Sequence, residues 1–216
     1  VILWVVNQFF ISDAFYIYEI TVLGNTAVSA AEICQASGLD GLSIFYLDPY
    51  QVEAAVTSLP NIKEAKVNYR LPAAVTIEVV ERCPQIVWLV GETQYWIDAE
   101  GTVLLIRGDL PPEVIFVQDL EGRSLQPGAR IDPGVLEAIQ SLRSALPEVK
   151  VFQYSSLKGF SFITPQGWPV YLGLGDRAEA KAATLRALIH QLEAEGFQPE
   201  FLDLRFEGRP YYRAAP

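Results

Sequence analysis

Apolar and polar positions along this chain change period several times, and each change predicts an element. Residues 16–22 are β-branched and aromatic, and Gly24-Asn25 follows, which predicts a strand and then a turn. Ser29-Ala30-Ala31-Glu32 has the form of a capping box, with the Ser hydroxyl accepting from the N–H three residues on and Glu32 reaching back to the Ser N–H. The helix it opens should stop at Gly38, a residue suited to a left-handed cap. Asp48-Pro49 predicts a second helix start, Val52, Ala55, Val56 and Leu59 share one face, and Pro60 closes it. Residues 65–70 form a strand candidate that ends at Leu71-Pro72. Beyond it Val75, Ile77 and Val79 alternate with Thr76, Glu78 and Val80, the period of a half-buried strand. Strand, helix, helix, strand, strand predicts a small sheet with both helices on one face, a compact α+β module.

Cys83-Pro84 predicts a boundary, since proline restricts the residue before it. The pattern then turns strand-rich, with candidates at 86–90, 95–98, 102–106 and 114–117. Asp132-Pro133 predicts another helix, with Leu136, Ile139, Leu142 and Leu146 facing a core. Strand candidates return at 149–155, 159–164 and 169–173. The last long helix should open at Asp176-Arg177-Ala178-Glu179 with an acidic N-cap, carry Ala182, Leu185, Leu188, Ile189 and Leu192 inward, and end at Gly196. A final strand over 200–206 runs on into Gly208-Arg209-Pro210-Tyr211-Tyr212-Arg213. There is no internal repeat.

The first eleven residues are almost wholly apolar, with Trp4, Phe9 and Phe10 among them. That run is too short to cross a bilayer, which takes about 20 residues. It reads either as a buried strand or helix start, or as the outer end of a membrane helix whose beginning precedes Val1, with its aromatics at the interface. No small-residue cleavage site follows, which favours an anchor over a removable signal. The absence of Met suggests a fragment missing its start.

Composition narrows the chemistry. A net charge of −10 without clustered Lys and Arg argues against nucleic acid. Cys34 and Cys83 form no metal motif; they read as two thiols or as one bridge. His190, the single histidine, falls in an ordinary helix pattern, so neither a metal site nor a Ser-His-Asp or Cys-His catalyst is expected. Asp98 and Glu100 flank Gly101 as turn residues do. Gly173-Leu174-Gly175 lacks the rest of a phosphate-loop pattern. The sequence therefore predicts no catalytic, cofactor or metal residues.

Several strings resemble a known family. Residues 20–25 followed by Ser29-Ala30-Ala31-Glu32-Ile33 resemble the opening of a POTRA domain of the FtsQ type; 43–48 and 59–67 are similar to its middle segments, and Leu71-Pro72 with 75–84 to its close. Tyr95-Trp96-Ile97-Asp98-Ala99-Glu100-Gly101 and Leu202-Asp203-Leu204-Arg205-Phe206 resemble the β-domain that follows the POTRA module in the FtsQ/DivIB family. The resemblance implies an α+β chain: the end of a membrane anchor and a linker over 1–14, a POTRA domain over 15–83, a mixed, mainly antiparallel β-domain with two helices over 84–213, and a tail over 214–216. It implies a non-enzymatic cell-division scaffold in the cell membrane, single-pass, with a cytoplasmic N-terminus and this region outside, at the septum. Its implied partners are FtsB/DivIC-like and FtsL-like coiled-coil proteins, and through them the septal peptidoglycan synthase.

The resemblance also places partner binding on the terminal strands, where a foreign strand adds to an open sheet edge. An unpaired edge offers N–H and C=O groups to such a peptide. The candidate contacts are Phe201, Leu202, Leu204, Arg205 and Phe206 on the expected strand, and Arg209, Tyr211 and Tyr212 beyond it. Pro210 has no N–H, so pairing is expected to end at Arg209. Two rivals stand beside this reading: a POTRA protein handing polypeptides to an outer-membrane barrel, and an extracytoplasmic enzyme using paired carboxylates.

Overall fold

The computed structural model describes residues 13–206 and 209–214, so the apolar opening run lies outside the described residues. The chain divides into two compact units. One comprises the residues up to Cys83 with Leu104–Asp109; the other comprises Pro84–Val103 and the residues from Leu110 onward. The expected architecture is borne out: an α+β module of the POTRA order, then a strand-rich region with two helices.

In the first unit, β1 (Ile20–Leu23) pairs parallel with β3 (Ala74–Glu81), and β2 (Ile62–Arg70) pairs antiparallel on the other side of β3. Helices α1 (Ala30–Ser37) and α2 (Pro49–Thr57) lie between β1 and β2 in sequence. Val75, Ile77 and Val79 point into a core with Ile33, Val52, Val56 and Ile62. Ser29 caps α1 as expected, accepting from the Glu32 N–H at 3.2 Å, and Gly38 ends it in the left-handed region. Asp48 caps α2 through the Tyr50 N–H at 3.1 Å.

Three expectations need correction here. β1 begins later than predicted, because Ile17 spends its backbone on the 41–42 loop instead, with Ile17 N–H on Leu42 O at 2.9 Å and Gly41 N–H on Ile17 O at 2.8 Å. Glu32 does not close the capping box on Ser29. Its carboxylate takes a two-pronged bond from Arg107, at 2.6 and 2.8 Å. A charged fork of this kind outcompetes a single bond to an exposed backbone N–H that water serves equally well. The strand expected over 102–106 shortens to β6 (Val103–Leu104), because the Leu105 N–H donates to Asn61 Oδ1 and the Leu105 carbonyl accepts from Asn61 Nδ2, at 3.0 and 2.9 Å.

Glu81, at the end of β3, holds the loop before α1. Its carboxylate accepts from the Thr26 hydroxyl at 2.6 Å and from the N–H groups of Thr26, Ala27 and Val28 at 2.8–2.9 Å. That gives the strings around Thr26 and Glu81, fifty-five residues apart, a shared mechanical cause. Gly24 precedes this loop at φ 83, and a side chain there would overlap the Val79 carbonyl.

The second unit contributes to one mixed sheet of nine strands in the order β12-β11-β10-β9-β8-β7-β4-β5-β6. Its further strands are β4 (Ile86–Val90), β5 (Thr93–Ile97), β7 (Ile115–Asp119), β8 (Val151–Ser155), β9 (Gly159–Ile163), β10 (Pro169–Gly173), β11 (Pro199–Asp203) and β12 (Tyr211–Ala214). Helices α3 (Pro133–Ala145) and α4 (Ala178–Glu195) bury Ile139, Leu142, Ala182, Leu185 and Leu192 in the same core as Trp88, Phe152, Phe160, Val170 and Leu202. Each large apolar side chain fully buried there contributes roughly 1.5–3 kcal/mol. α4 does not start on an acidic cap. Asp176 instead accepts from the buried Lys181 ammonium at 2.8 Å, and Arg177 takes the cap position in the left-handed region, φ 50. A buried ammonium without a counter-charge costs more than an open helix end.

The Glu81 clamp yields a prediction. Burial pushes the Glu81 carboxyl up, but the hydrogen bonds from Thr26, Ala27 and Val28 together outweigh it and hold the group below the usual carboxylate range. Its stabilising contribution is therefore present above the unfolded value of about 4.3 and is lost as pH falls through the lower folded value. Glu81→Gln should lower stability by about 2 kcal/mol at neutral pH, read as a smaller urea midpoint at unchanged slope. The variant should also lose that acid-dependent step; equal pH profiles for parent and variant would show that the clamp carries no charge-dependent stability.

Candidate functional site

β11 leaves the core as an apolar strand, and its alternation sorts the candidate residues. Leu202 is fully buried and Leu204 nearly so. Their side chains pack inward with the helices, Leu202 wholly and Leu204 all but an edge that borders the hollow described below. Phe201 and Asp203 point to the opposite face. The expected single strand over 200–206 is also too long. β11 ends at Asp203, whose carboxylate draws in the Arg205 backbone N–H at 3.0 Å and turns the chain. Pairing does not finish at Arg209. Beyond Pro210 the chain doubles back as β12, antiparallel to β11, with Leu202 opposite Tyr212 and Asp203 opposite Tyr211.

The edge therefore lies one strand further out than the sequence suggested. β11 is covered on both flanks, by β10 and by β12. β12 ends the strand order, so among the described residues one flank pairs with β11 and the other has no strand beside it. In an antiparallel pair, alternate residues aim their N–H and C=O groups away from the partner, and on β12 that outward row is what a further strand would meet.

The side chains around this edge form two groups. On the face away from the helices, Tyr171 of β10, Phe201 of β11 and Tyr211 of β12 make successive ring contacts, with centroids 5.9 and 5.8 Å apart. Arg205 lies over both Tyr171 and Phe206, at 5.6 and 5.5 Å, and Lys158 lies 5.1 Å from the Tyr171 ring centroid. Arg213 pairs with Glu200 at 3.4 Å. On the core side, Tyr212 meets Phe197 edge-on at 5.7 Å. Phe206 is 62% exposed and Tyr211 56%, and Arg209 is also exposed. Beside the end of β11 is a hollow of about 280 Å³, lined by Asp176, Lys181, Thr184, Leu204, Phe206 and Pro210. Together these offer a backbone row, exposed aromatic rings and an adjacent depression large enough for one or two side chains.

Asp203 holds the turn into this edge. Arg205 grips its carboxylate with Nε at 3.0 and 3.2 Å and Nη2 at 2.6 Å. Burial pushes the Asp203 carboxyl up, but the side-chain and backbone hydrogen bonds of Arg205 outweigh it and hold the carboxyl below its ordinary value. The Arg205 guanidinium is thus committed within the chain.

Sequence reasoning missed Tyr171, Lys158 and Arg213. The period of β10 could have found Tyr171, since Val170 and Leu172 face inward and leave it outward. Lys158 sits in a hairpin turn, where no period applies. The expected turn roles hold: Asp98 Oδ1 accepts from the N–H groups of Glu100 and Thr102, at 3.0 and 2.7 Å. Cys34 and Cys83 are both free thiols. Among the described residues no group of His, Cys, Asp and Glu is placed to hold a metal ion, and no helix is long and apolar enough to cross a membrane.

Comparison with known proteins gives two family models that match in chain order. One, described as "POTRA domain, FtsQ-type", covers residues 15–82, and the other, "Cell division protein FtsQ/DivIB, C-terminal", covers residues 86–205. A relative from Chloroflexus aurantiacus named Cell division protein FtsQ is 29% identical over 212 residues, spanning 95% of this chain and 76% of the relative. One of the same name from Chloroflexus aggregans is 26% identical over 208 residues, 94% of this chain and 75% of the relative. A third, from Mycobacterium tuberculosis H37Rv, is 29% identical over 178 residues, 80% of this chain and 54% of the relative.

Removing the Asp203–Arg205 fork should loosen the turn. Arg205→Ala leaves a buried carboxylate without its partner and should cost about 2–3 kcal/mol, measured by urea unfolding. Faster amide exchange should appear first at residues 200–203 and 211–214. Unchanged exchange there would mean that β12 is held by its strand pairing alone.

Proposed function

This chain belongs to the FtsQ/DivIB family of bacterial cell-division proteins, and we propose that it acts in division as a non-enzymatic scaffold that accepts a partner's strand along β12. The observation that carries this reading is the position of β12 at the end of the sheet, with one backbone flank unpaired among the described residues and exposed rings at Phe206, Tyr211 and Tyr212. Backbone bonds to the outward row supply affinity whatever the partner's sequence, while Tyr211, Tyr212 and the hollow beside Phe206 select side chains.

The partners this reading names are FtsB/DivIC-like and FtsL-like coiled-coil proteins, which would tie the chain to the septal peptidoglycan synthase. Of the residues named from sequence, Phe201, Phe206, Arg209, Tyr211 and Tyr212 remain as side-chain contacts; Leu202 and Leu204 serve by setting the strand, and Arg205 by holding the turn. The reading also places the chain in the cell membrane through a single N-terminal helix, with its N-terminus cytoplasmic and this region outside, at the septum. Anchoring scaffold and partner in one bilayer raises their effective concentration, so a short four-residue edge suffices without high intrinsic affinity.

The polypeptide-transport alternative loses its footing in the second half of the chain. A transport protein of that kind repeats its module or continues into a barrel, whereas residues 86–205 match the FtsQ/DivIB C-terminal description.

A proline scan of β12 tests strand addition. At neighbouring positions Tyr212 and Arg213, one N–H faces β11 and the other faces outward. The outward proline should leave unfolding unchanged and abolish co-purification with the organism's own FtsB/DivIC-like protein. Phe206→Glu should weaken the same capture without loss of fold. Normal capture by a folded outward-proline variant would remove β12 from the mechanism and leave the family role standing.

A further inference from the structure

We propose that an aromatic patch on the first unit, formed by Phe45, Tyr46 and Tyr50, rests on the interfacial zone of the bilayer in which the chain is anchored. The inference depends on the membrane-anchored reading above and adds to it a second, peripheral contact made by the folded unit itself.

The patch is built on the short connection between α1 and α2, which carries Phe45 and Tyr46, and on the first turn of α2, which carries Tyr50. Ile44–Tyr46 form a 3-10 turn whose first residue is buried, which fixes the turn to the core and drives the next two rings outward. Tyr46 is 71% exposed, Tyr50 83% and Phe45 46%. A single exposed ring needs no explanation, but three exposed rings within six residues concentrate apolar area on one short stretch, as contact sites do. Folding does not require it: the core side of this connection is already supplied by Ile44, Leu47 and Val52.

The occupant follows from where the chain comes from. The Phe15 ring lies against Phe45, with centroids 5.2 Å apart. Tyr16 bridges to Ser43, and Ile17 exchanges backbone bonds with Gly41 and Leu42. The segment arriving from the N-terminus is thus fastened to the loop that carries the patch. Ile11, the last residue of the apolar run, precedes Phe15 by four residues. Four residues span at most about 14 Å, and the interfacial zone on each side of a bilayer is about 5–8 Å deep. A bilayer that holds the run therefore has this patch within reach of its surface.

The chemistry fits that layer. Tyrosine combines an apolar ring with a hydroxyl that stays wet, and such rings concentrate at the membrane interface. Residues 39–50 contain no Lys or Arg, and Asp40 and Asp48 are their only charges, with Asp13 across the loop. Anionic lipid is not favoured by that balance, so the expected surface is zwitterionic and the contact is insensitive to salt.

The test uses the 216-residue chain in phosphatidylcholine nanodiscs carrying a spin-labelled lipid, with amide resonances read for paramagnetic broadening. Broadening should appear at residues 44–50 and persist in high salt. In Tyr46→Ser/Tyr50→Ser, whose positions are too exposed to disturb the core, broadening there should be lost while the chain stays on the disc. Retention without broadening at 44–50, or broadening unchanged by the double substitution, overturns the patch and leaves anchoring intact; the surface would then be free for a protein partner. Failure of the parent chain to remain on the disc overturns the patch, while the anchored reading, which puts the start of the helix before Val1, is separate from that outcome.

Discussion

A backbone hydrogen-bonding group left unpaired in a sheet must meet either water or another chain, and the second unit is organised around where that row is left. Eight of the nine strands are closed in among their neighbours or reduced to a short stub, as β6 is. The ninth, β12, is brief, starts after a proline and carries rings and an arginine rather than a run of aliphatic side chains. Those features limit promiscuous pairing, and on the proposed reading they leave enough backbone for a selected partner. The strand beneath it is held firmly: Leu202 is sunk in the core, and Asp203 and Arg205 fix the bend that lets the chain return. A flexible terminus could offer the same groups, but it would have to be ordered on each encounter, whereas here the ordering cost is met during folding.

Much of this was legible in the sequence because short-range chemistry decides it. Ser29 and Asp48 cap their helices, Gly38 and Gly196 end theirs, and the alternation around Val75, Ile77 and Val79 becomes β3 as written. Two of the failures have a common form, in which a carboxylate that fits a local cap is claimed by a charged side chain instead. Glu32 looks like half of a capping box until Arg107 arrives from seventy-five residues away. Asp176 looks like an N-cap until Lys181, buried, takes its carboxylate. Local rules rank the nearby options for such a group and cannot see the charged competitor.

The candidate site was legible to a lesser degree. The sequence pointed to the end of the chain where the open edge lies and named several side chains now found exposed, but it put the edge on β11. The reason is Pro210, which reads as the end of pairing when the chain is pictured running straight on. Once Asp203 bends the chain, the same proline falls in the return, and its missing N–H is no handicap. Tyr171 was overlooked because it sits on β10, thirty residues earlier, and only the sheet order brings it beside Phe201.

The segment Leu104–Asp109 has a consequence for how this protein can be dissected genetically. It is encoded well after Cys83, yet it folds with the first unit, where Leu105 satisfies Asn61 and Arg107 neutralises Glu32. A gene truncated at codon 83 would express a POTRA-like fragment whose buried asparagine amide and helix-start carboxylate have lost their native partners. Loss of a phenotype with such a fragment would then report damaged folding as readily as a missing function, so a faithful minimal module has to carry its late-encoded piece along.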